Sequence, residues 1–535
     1  MSLFRNVLTV GGATLASRVL GFLRDTLIAA TLGGGAAADA FIVAFRLPNL
    51  FRRLFAEGAF AAAFVPLFVR RRAEAGEAAA RRFAGEALAG LTAAVVAVTA
   101  LAMVFAPTLV DLLAPGFATD PAKRDLAILL ARICLPYLPA ITVVALLSGL
   151  MNADRRFLVP ALAPVVLNLV LIGSLLGLAG GGIVGPAAAT ALAWGVAAAG
   201  VAQVGLLAGA AMRAGLTPDR AAPRLTPETR RLVRLGLPGL LAGAMSEINV
   251  VVGTMLASTT AGAVSWLYYA DRLYQLPLGV VGIAIGQVLL PEITHRIAAG
   301  DAAATSEVQN RALEFALVLA LPAAAALMLL ADPIVRVLFE RGAFTAADGT
   351  AAARALAIFA AGLPAFVLVK VFAPAFYARE DTATPMVVGG LAVGVNVVLS
   401  LALLPVVGWI AVAIATAAAG WVNAALLFGR LVGRGHWRVD ATARRRLPRL
   451  LLATAAMAAA VAGAHAGLGT AFAAGSDFAT KAAALAGLVG LGLAVHGGLV
   501  LLLGVVDPTR PKGFDAARRD ASPSEASCSR PTDRA

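Results

Sequence analysis

The sequence predicts an all-α membrane protein whose chain crosses the bilayer many times. Of its 535 residues, 60% are hydrophobic and only 14% are charged, and the mean hydropathy is +0.86. The apolar runs are long enough to cross the hydrocarbon core, which takes about 20 helical residues each. Ala, Leu and Gly dominate these runs, and the alternating pattern of an outer-membrane barrel is missing, so the spans are predicted to be helices.

Breaks rich in Gly, Pro and Arg divide the apolar sequence into predicted transmembrane helices. There are fourteen spans, at 7–32, 40–68, 84–113, 126–151, 158–179, 183–210, 233–258, 263–296, 311–331, 351–377, 384–405, 408–431, 448–470 and 481–506. The segment 507–535 is rich in Pro, Ser, Arg and Asp and has few apolar residues. We predict that this segment is a disordered cytoplasmic tail.

Basic residues fall mainly in the loops that follow even-numbered spans. Those loops and the adjoining ends of the spans hold 23 arginines, whereas four of the seven loops after odd-numbered spans, with their adjoining ends, hold no Arg or Lys. Because basic loops stay in the cytoplasm, both termini of this multi-pass membrane protein are predicted to be cytoplasmic. The same bias accounts for the net charge of +14 without a nucleic-acid partner.

The chain matches itself at a shift of about 226 residues, as expected of a duplicated transporter half. "AADAFIVAFRLPNL" parallels "GAVSWLYYADRLYQL", and "APGFATD" parallels "ERGAFTAAD" farther on. Each repeat holds six helices, an even number, so both repeats enter the membrane in the same orientation. We predict two six-helix lobes around a central cavity, at 1–212 and 233–431, joined by a cytoplasmic linker at 213–232, with two extra helices at 448–506.

Charged residues interrupt the second span, where each Arg or Asp at membrane depth costs about 2.5–3.5 kcal/mol. On a helical wheel, Asp39, Arg46, Arg53 and Glu57 share one face, and Arg52 projects about 100° away from Arg53. A self-neutralising network that locks helices together explains the shared face. Arg46 and Arg53 are therefore predicted to belong to that network, and Arg52 is predicted to reach a substrate.

The first and eighth spans add further charges. The first carries Arg18, Arg24 and Asp25, and the eighth carries Asp271 and Arg272. The positive surplus of this set suits an anionic ligand, since it has six cations, Arg18, Arg24, Arg46, Arg52, Arg53 and Arg272, against four anions, Asp25, Asp39, Glu57 and Asp271. The planar guanidinium group binds phosphate oxygens in pairs. Since Arg18 and Arg24 point about 120° apart on a straight helix, a bend at the intervening glycine would let both face one cavity.

Other kinds of chemistry have little support in the sequence. No G-x-x-x-x-G-K-[ST] motif occurs, the four histidines are scattered singly, and Cys134 and Cys528 suit neither a disulfide framework nor a metal site. Arg18 interrupts the first apolar run, which argues against a removable signal peptide. These observations favour a transporter or flippase over an intramembrane enzyme.

Several long segments make the chain similar to one family. "SRVLGFLRDTLIA", "AADAFIVAFRLPNLFRRLFAEGAFAAAFVPL", "SWLYYADRLYQLPLGVVGIAIGQVLLP" and "VKVFAPAFYAREDTATP" closely resemble the MurJ/MviN family of bacterial lipid II flippases, within the superfamily that includes MATE-type multidrug exporters. The resemblance runs from about residue 3 to 506. It implies a monomeric flippase that moves the undecaprenyl-pyrophosphate-linked peptidoglycan precursor, lipid II, from the inner to the outer leaflet by alternating access.

The resemblance also implies functional positions. Four arginines match family positions that line the cavity and are thought to meet the pyrophosphate, namely Arg18, Arg24, Arg52 and Arg272. Ser17, Asp39 and Glu57 match further positions of that region. Arg53 is added to these candidate site residues because the helical wheel places it on the same face as Asp39 and Glu57. The helices matching the last two spans form a groove suited to the lipid tail.

Some members of the family carry a sodium site in the C-terminal lobe. The matching positions are Glu247, Asn396, Ser400, the Val412 carbonyl and Thr416. Ser400 stands where a carboxylate can occur, which removes a charge and weakens the expectation of sodium binding. Ordinary interhelical hydrogen bonding is the alternative explanation for Asn396 and Thr416.

With no nucleotide motif, the predicted energy source is the membrane potential, worth about 2.3 kcal/mol per charge per 100 mV, or an ion gradient. A MATE-type drug exporter and a flippase of another lipid-linked oligosaccharide are the alternative functions, and a scaffold of cell-wall assembly is a third. Exporters of hydrophobic cations are expected to line their cavities with carboxylates and aromatic rings. The predicted cavity is rich in Arg, and only 6% of the chain is aromatic.

Overall fold

A computed structural model describes the backbone of residues 3–56, 59–224, 226–473 and 475–506. The side chains of residues 3–9, 51–62, 237–246 and 283–288 lie outside the described part. Across the described residues, all regular structure is helical, with seventeen α-helices and three short 3-10 helices. The predicted all-α fold is confirmed.

The first half of the chain contains eight helices, α1 (Leu3–Leu32), α2 (Ala36–Ala56), α3 (Ala59–Val104), α4 (Ala106–Leu113), α5 (Pro121–Cys134), α6 (Tyr137–Ala153), α7 (Leu158–Gly180) and α8 (Gly185–Arg213). The second half contains α9 (Pro227–Ala257), α10 (Ala263–Ala298), α11 (Ala302–Leu329), α12 (Ala331–Phe339), α13 (Ala346–Tyr377), α14 (Ala383–Val407) and α15 (Ala411–Gly433). Two more follow, α16 (Ala441–Gly467) and α17 (Phe478–Leu502).

Helices occupy the fourteen predicted spans, but several boundaries differ from the prediction, and the span 84–113 is divided between α3 and α4. The span 40–68 is shared between α2 and the start of α3, which continues through the predicted loop and kinks at Gly76 (φ 81°). The span 126–151 is divided between α5 and α6 at Leu135 and Pro136, because proline has no amide hydrogen to continue the helical ladder.

The order of elements repeats along the chain, as the internal sequence match predicts. The short helix α4 follows α3 in the first half, and the short helix α12 follows α11 in the second. After each short helix comes a glycine, Gly116 or Gly342, whose Cβ would collide with a backbone carbonyl oxygen, of Ser258 or of Ala30 respectively. Both positions therefore require glycine for close packing.

Loops that follow odd-numbered spans meet at one end of the bundle. The Gly116 amide donates to Ser258 Oγ at 3.0 Å, and the Ala343 amide donates to Ala30 O at 2.7 Å. A Cβ added at Gly262, which has φ +84°, would lie 2.5 Å from Gly34 O. This end of the bundle is closed by backbone contacts, and we refer to it as the odd-loop end.

The chain forms two compact units. Unit 1 consists of Met1–Leu276, Leu330–Gly362 and Gly389–Gly420. Unit 2 consists of Pro277–Leu329, Leu363–Val388 and Trp421–Ala535, of which the part beyond 506 lies outside the described residues. These units divide α10, α13, α14 and α15 internally. The predicted lobes and linker stay a prediction.

Within the described residues, nine helical segments are long and apolar enough to cross a membrane. One of them, Ala383–Gly433, contains both α14 and α15. The apolar segments make this chain an integral membrane protein, in which the charged residues of α1, α2 and α10 call for a functional explanation.

Candidate substrate cavity

Unit 1 encloses a cavity of about 420 Å³. Its polar lining comes from six helices, α1, α2, α6, α7, α8 and α10. The polar and charged lining residues are Thr14, Ser17, Arg18, Arg24, Asp25, Asn49, Tyr137, Asn168, Gln203, Arg272 and Gln275. Three arginines and one aspartate leave the described lining with a formal surplus of two positive charges, which suits a dianionic group.

Arg24 is fixed by two side chains. Its Nη1 donates to Asn168 Oδ1 at 2.9 Å, and its Nε and Nη2 donate to Asp25 Oδ1 at 3.0 and 2.7 Å. Asn168 in turn donates from Nδ2 to the Ser17 carbonyl oxygen at 2.9 Å. A Cβ at Gly21 would lie 3.5 Å from Asn168 Nδ2, which is an ordinary van der Waals distance. Asn168 thus connects α7 to α1 and orients Arg24.

Arg272 approaches the same carboxylate from α10. Its Nε lies 3.4 Å from Asp25 Oδ2 and makes no hydrogen bond to any described residue. The guanidinium group stacks 4.6 Å above the Tyr268 ring, and Tyr268 Oη donates to Asp25 Oδ1 at 3.1 Å. Asp25, which is 2% exposed, is therefore shared between two arginines.

The opposite wall is polar but uncharged. Tyr137 Oη donates to Gln203 Oε1 at 3.0 Å, and Gln203 Nε2 donates to the Ala163 carbonyl oxygen at 2.7 Å. Helices α6 and α8 approach closely at Gly200, where a Cβ would lie 2.9 Å from Tyr137 Cδ2. Tyr137 and Gln203 are buried and bond to each other, so this wall adds no charge to the cavity.

The predicted residues of α1 meet in this cavity. Arg18 is exposed and Ser17 half-buried, and both line the cavity together with Arg24. Helix α1 runs unbroken past Gly21, so the predicted bend is absent. The length of the arginine side chains instead allows Arg18 and Arg24 to line the same cavity. The side chains of Arg52 and Arg53, and all of Glu57, lie outside the described residues, and their roles stay predictions.

Asp39 lies outside this cavity, in a buried cluster of its own. Its carboxylate accepts from Lys123 Nζ at 2.6 Å, from the Gly262 amide at 2.8 Å and from the Ser265 amide at 2.9 Å. Lys123 also lies 4.2 Å from the centre of the Phe117 ring. The two amides belong to the first turn of α10, where a helix has unpaired N–H groups and favours an anion.

The contact between Asp39 and Ser265 joins equivalent positions of the two repeats. They are 226 residues apart, the shift at which the sequence matches itself. Arg46, seven residues after Asp39, does not join this cluster. Its Nη1 donates to the Val250 carbonyl oxygen at 3.2 Å, which ties α2 to α9. The face shared by Asp39 and Arg46 therefore serves two separate contacts.

Four of the positions that match a sodium site form one hydrogen-bonded group. Ser400 Oγ donates to Asn396 Oδ1 at 3.1 Å, Asn396 Nδ2 donates to Thr416 Oγ1 at 3.4 Å, and Thr416 Oγ1 donates to Val412 O at 2.7 Å. Glu247 is buried on α9. Because the four neutral groups bind one another, they fit interhelical hydrogen bonding better than a preformed cation site.

Sequence reasoning did not assign site roles to the polar wall or to Asn168. Asn168 appeared in the sequence as a match of Asn396 in the repeat, and Gln203 and Tyr137 stand alone in apolar helices. A lone polar residue in a transmembrane helix is itself a signal, since it must find a partner or a cavity. That signal identifies candidates but not the cavity into which they converge.

The fold and the cavity define a membrane transporter for an anionic substrate, not an enzyme. A protein-family model described as "Lipid II flippase MurJ" matches residues 28–482. A protein of Rhizobium meliloti (strain 1021), "Probable lipid II flippase MurJ", is 46% identical over 497 residues, which is 93% of each chain. The chain belongs to the MurJ family of lipid II flippases.

Solved structures agree on the fold. The chain is similar to "Lipid II flippase MurJ, inward closed conformation", with a TM-score of 0.76 and 23% identity over 92% of this chain and 98% of that one. It is also similar to an inward-facing multidrug resistance MATE family transporter of the MOP superfamily, with a TM-score of 0.64 and 15% identity over 78% and 94% of the two chains. At these identities the likeness concerns the fold.

Proposed function

We propose that this chain moves lipid II from the inner to the outer leaflet of the cytoplasmic membrane by alternating access. The observation that carries the proposal is the placement of Arg24 and Arg272 on either side of Asp25 in a cavity with surplus positive charge. A pyrophosphate group presents several oxygens to guanidinium forks, which bind such groups in pairs.

In the proposed binding step, the pyrophosphate approaches the N–H groups that Asp25 leaves free. Asp25 and Asn168 hold Arg24 in place before the substrate arrives, so little side-chain ordering remains to oppose binding. The Nε of Arg272 is buried 3.4 Å from Asp25 Oδ2, so the substrate would meet the Nη groups of this arginine. The wall around Tyr137 and Gln203 is placed to face the sugar and peptide, which need hydrogen bonds but no counter-charge.

In the proposed release step, the odd-loop end opens. The contacts of Gly116 with Ser258 and of Ala343 with Ala30 would separate, together with the bonds from Asp39 to α10. Arg24 lies nine residues before Gly33 on α1, or about 14 Å along the helix axis. The closed end and the cavity are thus two regions along the transport path, as alternating access requires.

Release of an anion from arginines requires energy, and we propose the membrane potential as its source. With both termini in the cytoplasm, the interior-negative potential drives an anion outward, at about 2.3 kcal/mol per charge per 100 mV. No step is assigned to sodium, since the matching positions satisfy one another. Helices α16 and α17 are proposed to guide the lipid tail, and the transporter is proposed to act as a monomer.

Purified protein in liposomes tests the proposal directly. We expect lipid II placed in one leaflet to reach the other faster than in empty liposomes when a potential is imposed, and Arg24→Gln to remove the difference. A protein that moves a hydrophobic cation but not lipid II would instead be a drug exporter. A variant that cannot flip lipid II but still supports growth of cells depleted of their flippase would indicate a scaffold.

A further inference from the structure

Unit 2 contains a second cavity, of about 570 Å³, within the range of about 300–1,000 Å³ typical of small-molecule sites. Three connections form it, the turn before α11, the segment after α13 and the connection from α15 to α16. All three follow even-numbered predicted spans, which the basic-residue bias assigns to the cytoplasm. We propose that this cavity binds a phosphate group at the cytoplasmic membrane surface, carried by an anionic phospholipid or free in solution.

The cavity has arginine side chains without matching acids. Arg379, His436 and Arg438 all line it. Arg379 is half-buried and donates from Nη1 to Ala375 O, near the end of α13, over 2.6 Å. Arg438 is exposed, and within the described residues neither Arg379 nor Arg438 forms a salt bridge. Two guanidinium groups without acidic partners beside one concave space are typical of a phosphate site.

The nearby acids are already engaged. Asp381 accepts from Arg434 Nη1 at 2.6 Å and from Thr384 Oγ1 at 2.7 Å. Asp301 caps α11 by accepting from the Ala304 amide at 2.8 Å. Neither acid lines the cavity, so its surplus of positive charge is not cancelled locally.

The pKa shifts of the lining groups reflect the same excess of positive charge. Burial, together with the charges of Arg379 and Arg434, lowers the pKa of His436 despite the opposing charge of Asp381. Burial also lowers the pKa of Arg379. Both shifts have the sign expected where positive charge is desolvated without a counter-ion, and a bound anion would relieve both.

Unused hydrogen-bond donors lie in the cavity wall as well. Ala302 and Ala303 line the cavity at the start of α11, where the first amides of a helix have no intrahelical partner. Trp437 also lines it, is 1% exposed, and has no partner for Nε1 among the described residues. One turn beyond the lining residue Thr305, the wholly buried Gln309 has neither amide atom paired. Buried polar groups of this kind normally have partners.

The wall is rigid enough to be preorganised. Trp437 packs against Phe372 with ring centres 5.2 Å apart, and the Arg438 carbonyl oxygen accepts from Asn310 Nδ2 at 2.8 Å and from Ser306 Oγ at 3.2 Å. The loop that presents His436 and Arg438 is therefore anchored to α11. A site held in this way loses little conformational entropy when a ligand binds.

The test uses the full chain with Arg379→Gln and Arg438→Gln combined, and Arg430→Gln as the matched control, since Arg430 is exposed on α15 and does not line the cavity. Native mass spectrometry would count phosphatidylglycerol retained from mixed phosphatidylglycerol and phosphatidylcholine nanodiscs. Thermal unfolding in phosphatidylcholine nanodiscs would record stabilisation by inorganic phosphate against chloride at equal ionic strength. We expect affinity to fall about tenfold per arginine in the double variant and to stay unchanged in the control.

Ala303→Glu provides a variant that keeps both arginines. An acid in the first turn of a helix is well tolerated, so the variant should fold, and its carboxylate should occupy the positive field. If the double arginine variant and Ala303→Glu both lose the retained phosphatidylglycerol, the cavity is a lipid site. If both lose the stabilisation by inorganic phosphate, the cavity is a site for free phosphate. Equal binding in wild type and variants, or equal loss in Arg430→Gln, would overturn the proposal. Transport of lipid II is not needed for either readout.

Discussion

Two charged clusters of unit 1 balance their charges in different ways. Among the described residues, Asp39 pairs with one cation, Lys123, and accepts hydrogen bonds from two backbone amides. Asp25 instead faces two guanidinium groups, of Arg24 and Arg272, beside an open cavity. The first cluster is neutral and satisfied, and the second retains positive charge. A neutral, fully bonded pair is expected to hold helices together, whereas surplus charge beside a cavity is expected to bind a ligand.

The largest effect is expected from removing the surplus charge. Arg24→Gln and Arg272→Gln should each abolish support of growth in flippase-depleted cells, because a charge-assisted hydrogen bond to phosphate contributes about 1.5–3 kcal/mol and each arginine is placed to make more than one. Folding should survive, since the glutamine stays beside a polar cavity. Complementation and the exposure of lipid II on spheroplasts measure the loss, and protein abundance checks the fold.

Arg132→Gln is the control for this prediction. Arg132 is exposed on α5 and donates only to a backbone carbonyl, of Met103. It should support growth as wild type does. Normal growth with Arg24→Gln and Arg272→Gln combined would remove the distinction between the two clusters.

The next largest effect is expected from the neutral cluster of Asp39 and Lys123. It concerns the stability of the folded protein. Asp39→Asn leaves Lys123 charged and buried without its counter-ion, which costs about 3–5 kcal/mol when one partner of a buried pair is removed. Thermal unfolding in detergent and protein abundance in the membrane should both report the loss. Combining Asp39→Asn with Lys123→Met should restore most of the stability, because the uncompensated charge is then gone.

The double variant decides what Asp39 does. If stability returns but lipid II stays in the inner leaflet, Asp39 takes part in transport, as the family resemblance implies. If activity returns with stability, the cluster acts by holding the odd-loop end together.

A smaller effect is expected at Asn168, which both orients a cavity arginine and joins two helices. Asn168→Leu removes the bond to Arg24 Nη1 and the bond to the Ser17 carbonyl but leaves the charge of Arg24 in place. Lipid II transport should fall about tenfold, the equivalent of one lost hydrogen bond to a charged group. Ser174→Ala on the same helix, whose hydroxyl donates only to Val170 O, should leave the rate unchanged. An unaltered rate in Asn168→Leu would mean that Asp25 alone orients Arg24.

These clusters also explain what the sequence could and could not predict. Apolar length predicted the helices, and the repeat paired the segments that follow α4 and α12, although neither short helix was predicted. The helical wheel gave the angle of each charged residue but not its partners. Asp39 and Arg46 share one face of α2, yet Asp39 bonds to Lys123 and Arg46 bonds to the Val250 carbonyl oxygen. Lys123 was assigned to a loop, and its burial beside Asp39 depends on tertiary packing, which periodicity does not report.

The smallest effect is expected at the group formed by Asn396, Ser400, Val412 and Thr416. Its members satisfy one another, as Asp39 and its partners do, so it should behave as a structural contact between α14 and α15. Replacing sodium by potassium at constant membrane potential should change lipid II transport less than about twofold, and Thr416→Val should cost about 0.6 kcal/mol of stability, the average for a hydrogen bond between membrane helices. Sodium dependence that Thr416→Val removes would contradict this expectation. It would show that hydrogen bonding among neutral groups does not rule out a coupling site. The expectation that a fully bonded cluster is structural would then hold only for clusters of charged residues.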